Sequence, residues 1–335
     1  MTSRIVIHVG THKTATTHIQ DTFYHNRRLL RQHGVTVPRI GACRGQHGLA
    51  SAWINLPPPY GIRHPRRAWQ TLARAHAARA GTLFVSSEEL SRLFPARVDM
   101  ADLRGLISAF DRVELICGLR SQGSFLQSVY QQISVERHPG PLTTFVDTAL
   151  ERGVVDGLAL DYTALYRQFR TGFAASEIRL ICYEDAVRHP GGIVGTFLDI
   201  LGVPLRADQL QPFAQGRSNV SPMPLANLVA NRVSAPNPAR RDLVTLVQAH
   251  LEEGLPAKRR TTLFTRSELR RIARRFEAPN AQLSAMVRAV QPGFAIQPMR
   301  PAELLFRGQM PDTIWPAIAA DLIRSAPEGA NLWRG

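Results

Sequence analysis

An apolar, β-branched run from Arg4 to Val9 (RIVIHV) passes straight into a polar loop of small residues, Gly10-Thr11-His12-Lys13-Thr14-Ala15-Thr16-Thr17. A helical pattern follows, with apolar positions at Ile19, Phe23 and Leu30, and stops at Gly34, a suitable residue just past a helix end. A buried strand, a polar turn and a helix in that order commit the start of the chain to a parallel α/β unit. Such a loop is an anion site by construction: the first N–H groups of the helix have no intrahelical partner, and the helix dipole favours negative charge there. Lys13 adds a point charge, and the hydroxyls of Thr16 and Thr17 add donors. Of 41 Lys plus Arg residues only Lys13 and Lys258 are lysine, so a lysine in this loop stands out.

Further buried-strand candidates recur down the chain. They are Thr82 to Val85, ending in Ser86-Ser87-Glu88-Glu89; Arg112 to Leu119, ending at Arg120; and Glu177 to Cys182, ending in Tyr183-Glu184-Asp185. Each is followed by helix-compatible sequence, among them Gly192 to Leu201, which stops at Gly202-Val203-Pro204. Strands alternating with helices predict an α/β fold: a doubly wound parallel sheet in a P-loop-like three-layer α/β/α arrangement, with a helical C-terminal extension. Ligands of such sheets bind at the carboxyl ends of the strands, which here carry Lys13, Glu88 and Arg120. The expected division is a core over residues 1–225 and a mostly helical, Arg-rich part over 226–335. Residues 41–80, with Pro57-Pro58-Pro59, read as a loop-rich insertion with short helices.

Composition bounds the function classes. Hydrophobic residues are 44% and charged residues 20%, enough for a sizeable core, which excludes global disorder. With 41 basic and 26 acidic residues the net charge is +15, which suits an anionic partner or an Arg-rich codon usage. No stretch approaches the length of a transmembrane helix and the N-terminus lacks a signal-peptide pattern, so a cytoplasmic protein is expected, with peripheral membrane contact left open. Cys43, Cys117 and Cys182 form no CxxC pair, and His8, His12 and His18 share no HExxH spacing, so no metal site is expected. Oligomeric state is not legible.

The loop does not fit the Walker A pattern, which needs a Gly-Lys pair. The order Lys13-Thr14-Ala15-Thr16-Thr17 before a helix resembles instead the 5′-phosphosulfate loop of sulfotransferases that use 3′-phosphoadenylyl sulfate (PAPS), where the usual form is Lys-[Thr/Ser]-Gly-[Thr/Ser]-[Thr/Ser]. The wider stretch His8 to Gln20 is similar to the bacterial branch of that family. Ala15 departs from the usual Gly. It is strained if that position needs a positive φ, and favourable if the backbone is already helical. A second element is similar to the family's 3′-phosphate site: Arg120 at a strand end, with Ser128 eight residues on. Arginine offers a planar fork to phosphate oxygens, and a helix hydroxyl can add to it. Tyr183-Glu184-Asp185 with the following helix, the Gly216-Arg217-Ser218-Asn219 loop and Asn280 with Leu283 resemble later family segments, with Glu184 or Asp185 read as a brace.

The resemblance implies sulfuryl transfer from PAPS to an acceptor hydroxyl or amine, without a metal, leaving adenosine 3′,5′-bisphosphate as product. It implies Lys13 against the transferring group, with His12 beside it at the donor's sulfonate or the acceptor, or simply packed; Thr14, Ala15, Thr16 and Thr17 around the 5′-phosphate; and Arg120, Ser128, Arg217 and Ser218 around the 3′-phosphate. The family uses Glu or His as base, and Glu88, Glu89 and His47 are the candidates. Desolvation is expected to raise the Glu88 pKa and so fit it for that task. The acceptor, a glycan, lipid or small natural product, has no readable signature. Two other classes stay open: a P-loop small-molecule kinase, which lacks its Gly-Lys-[Ser/Thr] here, and an Arg-rich nucleic-acid binder. No helix-turn-helix, zinc spacing or aromatic platform supports the latter, so no nucleic-acid partner is expected.

Overall fold

The computed structural model describes residues 2–212, 222–254 and 260–325. The chain opens with β1 (Ser3–His8), α1 (Thr16–His25), α2 (Arg27–Gln32), β2 (Val35–Thr36), α3 (Pro65–His76), β3 (Gly81–Ser86), α4 (Met100–Leu106) and β4 (Arg112–Leu119). It continues with α5 (Gln122–Glu136), α6 (Leu142–Arg152), a hairpin of β5 (Val154–Val155) and β6 (Leu158–Ala159), α7 (Tyr162–Arg170), β7 (Ile178–Cys182), α8 (Tyr183–Ala186) and α9 (Gly192–Leu201). The rest comprises α10 (Pro224–Ser234), α11 (Arg241–Gly254), β8 (Arg260–Thr261), α12 (Arg266–Val287), β9 (Leu304–Leu305) and α13 (Ile314–Ser325). No helix among the described residues is long and apolar enough to cross a membrane.

Contacts divide the chain into two units, one of residues 1–125, 149–215 and 274–298, the other of 126–148, 216–273 and 299–335. This division is interleaved along the chain. The first unit takes back the end of α12 because Leu283 and Val287 are buried in the same core as Ile178 and Leu180 of β7.

The first unit holds a five-stranded sheet in the order β2-β3-β1-β4-β7, every pair parallel. Period-two alternation sends successive side chains to opposite faces. Ile5, Ile7, Leu83, Val85, Leu115 and Cys117 enter one core with Trp69 of α3, Leu103 of α4 and Phe169 of α7. Val6, Phe84, Ile116 and Ile181 enter the other, with Ile19 and Phe23 of α1 and Phe197 of α9. Both faces are covered, which is why the strands read as continuous apolar runs. Each such buried side chain contributes about 1.5–3 kcal/mol relative to exposure.

The order of strands fixes where a ligand can sit. From β1 the chain runs out to the edge strand β2 and returns to β3 beside β1; from β4, on the other side of β1, it runs the opposite way to β7. The crevice between the carboxyl ends of β1 and β4 is therefore the topological switch point. Pairing extends past the strand end there, with Val9 N donating to Ile116 O at 2.8 Å and Thr11 N to Gly118 O at 2.9 Å.

The helix expected up to Gly34 is broken into α1 and α2 at Asn26. Its Nδ2 donates to the carbonyls of Thr22 and Gln211, and its Oδ1 accepts from Gln211 N. Gly34 ends α2 at φ +78°, as expected of a residue beyond a helix terminus.

The second unit is mainly helical. Leu225 and Val229 of α10 pack with Val247 and Leu251 of α11 and Ile314 and Ile318 of α13. Strands β8 and β9 pair in parallel, and Gln127 Oε1 accepts from Thr262 Oγ1 and Leu263 N, at 2.9 and 3.0 Å.

Candidate functional site

The loop between β1 and α1 is held by its own threonines. Thr11 Oγ1 donates to Gly118 O at 3.0 Å, and Thr14 Oγ1 donates back to Thr11 O at 2.5 Å. Thr14 is buried, so its hydroxyl serves the loop's shape and only its backbone is left for a ligand. Gly10 has φ +32°, and a Cβ there would lie 2.4 Å from Thr16 Cγ2. Only glycine fits beneath the helix start. Thr16 is buried and Thr17 is exposed.

Lys13 and Ala15 both adopt left-handed backbone, at φ +65° and +61°. Ala15 is the residue immediately preceding α1, with ψ 25°. Of the two readings of Ala15 open in the sequence, the strained one holds, at a cost of about 1–2 kcal/mol. The two turns tighten the chain so that it enters α1 directly behind Lys13.

Arg120 closes β4 on the other side of the switch point. Its Nη1 donates to Lys13 O at 3.2 Å, its guanidinium lies 4.9 Å from the centre of the Tyr183 ring, and its carbonyl accepts from Tyr162 Oη at 2.6 Å. Burial and the nearby Arg120 charge push the Lys13 pKa down, and Glu88 partly opposes them. Two cations thus share the crevice at a mutual cost. Glu184 acts as the brace expected of it: its Oε1 accepts from Ser121 N at 3.0 Å, ahead of α5. Asn280 forms a reciprocal amide pair with Gln122, at 2.8 and 3.1 Å.

At the end of β3 the fold brings two of the three candidate bases, His47 and Glu88, together. Gln46, fully buried, continues the sheet hydrogen bonding: its N donates to Ser86 O and its Oε1 accepts from Ser86 N, both at 2.8 Å. That places His47 against the strand end, with Nδ1 3.3 Å from Ser87 Oγ and 3.7 Å from Glu88 Oε2. Gln20 of α1 donates through Nε2 to Glu88 Oε2 at 2.8 Å and to Ser86 Oγ at 3.2 Å. His8 Nδ1 is 2.9 Å from the same Ser86 hydroxyl. Burial lowers the His8 pKa to about 4, so this imidazole is neutral at physiological pH. Gly45 lets the backbone pass: a Cβ there would lie 2.6 Å from Gln20 Cδ and 2.7 Å from His47 Nε2.

The raised pKa expected for Glu88 is not found. Burial does push it up, but the charges of His12 and His47, a backbone hydrogen bond and the Gln20 amide outweigh burial and leave it below the ordinary carboxylate value. Glu89 is held by Arg92 and by His12, whose Nε2 is 3.2 Å from Glu89 Oε1. Against burial, these partners bring its pKa down to about 2. Glu89 is therefore a structural anchor and His12 its partner, while His12 Nδ1 is buried without a hydrogen-bond partner.

The structure thus gathers Lys13, Arg120, His12, Glu88 and His47 at one end of the sheet. Ser128 is buried in α5 and belongs to the second unit. Arg217 and Ser218 lie outside the described residues. Gly45 and Gln46 were missed in the sequence, where no motif marks them, and Gln20 closed the recognised stretch from His8 without a role assigned to it.

No protein-family model matches the chain, and no curated protein matches it. Among solved structures it is similar to a sulfotransferase from Alicyclobacillus acidocaldarius, with 13% identity over 84% of this chain and 94% of that one, at a TM-score of 0.45. It is also similar to the mouse sulfotransferase SULT7A1 complexed with PAP, with 13% identity over 86% of this chain and 87% of that one, at a TM-score of 0.42.

Proposed function

We propose that the chain is a PAPS-dependent sulfotransferase. One observation carries the reading: at the switch point of a parallel sheet, Lys13 and Arg120 are held together beside the start of α1, and a Glu88–His47 pair stands at the neighbouring strand end. A half-buried pair of like charges at a helix N-terminus is a receptor for a multiply charged anion. The loop sequence, similar to a 5′-phosphosulfate loop, says which anion.

In this reading the backbone N–H groups from Thr14 to Thr17 cradle the 5′-phosphate. Arg120 binds the 3′-phosphate and so selects a bisphosphate over AMP. PAPS supplies an activated sulfuryl group. Lys13 lies against the bridging oxygen and neutralises the charge that builds on it as the S–O bond to the 5′-phosphate breaks. The acceptor oxygen forms the new S–O bond and gives its proton to His47. Glu88, kept ionised by its low pKa, stabilises the resulting imidazolium. A carboxylate below its ordinary pKa is a weak base near neutrality, which favours His47 as the proton acceptor and Glu88 as the positioning residue. The acceptor is a hydroxyl of a glycan, lipid or small metabolite, taken up on the side of residues 41–80.

The test is transfer of label from sulfur-labelled PAPS to a mixed pool of hydroxyl acceptors in the presence of EDTA. The reading expects transfer by the wild type and near-complete loss in Lys13→Ala. Absence of transfer from PAPS, together with magnesium-dependent transfer from ATP, would replace it with a kinase.

A further inference from the structure

Away from the strand-end site, three arginines distant in sequence meet around one cavity of about 470 Å³, a size within the range of small-molecule sites. Arg97 comes from the loop ahead of α4, Arg152 is the last residue of α6, and Arg275 lies in α12. Arg275 is fixed there by a hydrogen bond from Nε to Leu150 O at 3.1 Å. The walls between them are apolar, made by Leu93, Phe94, Pro95 and Val154. Phe94 leaves 53% of its surface open, unusual for an aromatic ring.

One carboxylate also lines the cavity, that of Asp161. Its Oδ1 is already engaged at the start of α7, accepting from Thr163 N and Ala164 N at 3.0 and 3.1 Å. Three guanidinium groups against one occupied carboxylate leave a surplus of two positive charges. Arginines neighbouring on one helix would be a solvated face. Arginines brought from a loop and two helices to one cavity concentrate positive charge there, which a bound anion would neutralise.

We propose that this cavity binds an organic dianion with a flat apolar body, its rings against Phe94, Pro95 and Val154 and its charges on Arg97, Arg152 and Arg275. The site shares no residue with the strand-end site, so the proposal stands apart from the sulfotransferase reading. An apolar body supplies the burial, and two anionic ends supply charge-assisted hydrogen bonds in planar forks.

Calorimetric titration with naphthalene-2,6-dicarboxylate tests it, beside neutral naphthalene-2-carboxamide and inorganic sulfate. Saturable binding of the dicarboxylate is expected, about tenfold or more tighter than either control. The exposed pair Arg97→Gln/Arg152→Gln should keep its melting temperature and lose about tenfold or more in affinity, and Arg275→Gln should weaken binding separately. Lys13→Ala should bind the probe as the wild type does. No saturable binding, equal binding of the carboxamide, an unchanged arginine double variant, or loss of binding in Lys13→Ala would each overturn the proposal.

Discussion

Arg120 Nη1 donates to the carbonyl oxygen of Lys13 at 3.2 Å, so the end of β4 holds the loop that follows β1. The bond joins the two strands that flank the switch point and keeps two cations side by side. Its geometry also limits what each can do alone: Arg120 positions the Lys13 backbone while its charge depresses the Lys13 ammonium.

Removing that guanidinium should separate the two nucleotides the site is proposed to tell apart. In Arg120→Ala the affinity for adenosine 3′,5′-bisphosphate should fall about 10- to 100-fold, the worth of a charge-assisted contact. Affinity for AMP should fall much less. Competition binding of both nucleotides to the variant decides it, and an equal loss for both would remove Arg120 from the 3′-phosphate.

Relaxing the left-handed Ala15 should stabilise the fold. Ala15→Gly removes the clash of a Cβ at φ +61° and should add about 1 kcal/mol, read by urea unfolding. Gly10→Ala should do the reverse, losing about 2 kcal/mol or more, because its Cβ would meet Thr16 at 2.4 Å. Opposite signs at two positions five residues apart are a sharp test of the loop's shape.

Acid should destabilise the protein before its carboxylates titrate. The His8 pKa is about 4 in the fold and near 6.5 in the unfolded chain, so between those values the unfolded state binds more protons. Stability is therefore full above about pH 6.5 and falls as pH drops towards 4, by about 3 kcal/mol from this group. Glu89, lowered to about 2, adds a second loss below its ordinary value near 4.5. Chemical denaturation across pH 4 to 7 should show the first slope in the wild type and a flatter one in His8→Asn.

His47 and Glu88 should be separable kinetically. His47→Gln is expected to lower kcat about 100-fold or more, with donor affinity unchanged. Glu88→Gln should lower kcat less and displace the acid limb of the pH–rate profile. A Glu88→Gln variant as impaired as His47→Gln, with no change of profile, would make Glu88 the proton acceptor.

Much of this was legible in local sequence. Strands β1, β3, β4 and β7 were readable because both faces of their sheet are buried, and the anion loop because its strand, lysine and helix are contiguous. What escaped depends on contacts across the fold. Gln46 is an ordinary residue until it meets Ser86, and Gly45 an ordinary loop glycine until Gln20 and His47 close around it. The Glu88 pKa went the other way because the sequence shows an acid near a strand end but not that His12, His47 and Gln20 converge on it. The end of α12 joined the first unit through Leu283 and Val287, apolar positions whose partners lie about a hundred residues upstream.

The central claim is that the Lys13–Arg120 crevice binds a 3′-phosphorylated adenine nucleotide. Calorimetric titration of the protein with adenosine 3′,5′-bisphosphate in EDTA, beside AMP and ATP, tests it most directly. The account expects tight 1:1 binding of the bisphosphate, unaffected by EDTA, weaker binding of AMP, and loss of the preference in Arg120→Ala. No binding of the bisphosphate, or magnesium-dependent binding of ATP in its place, would contradict it.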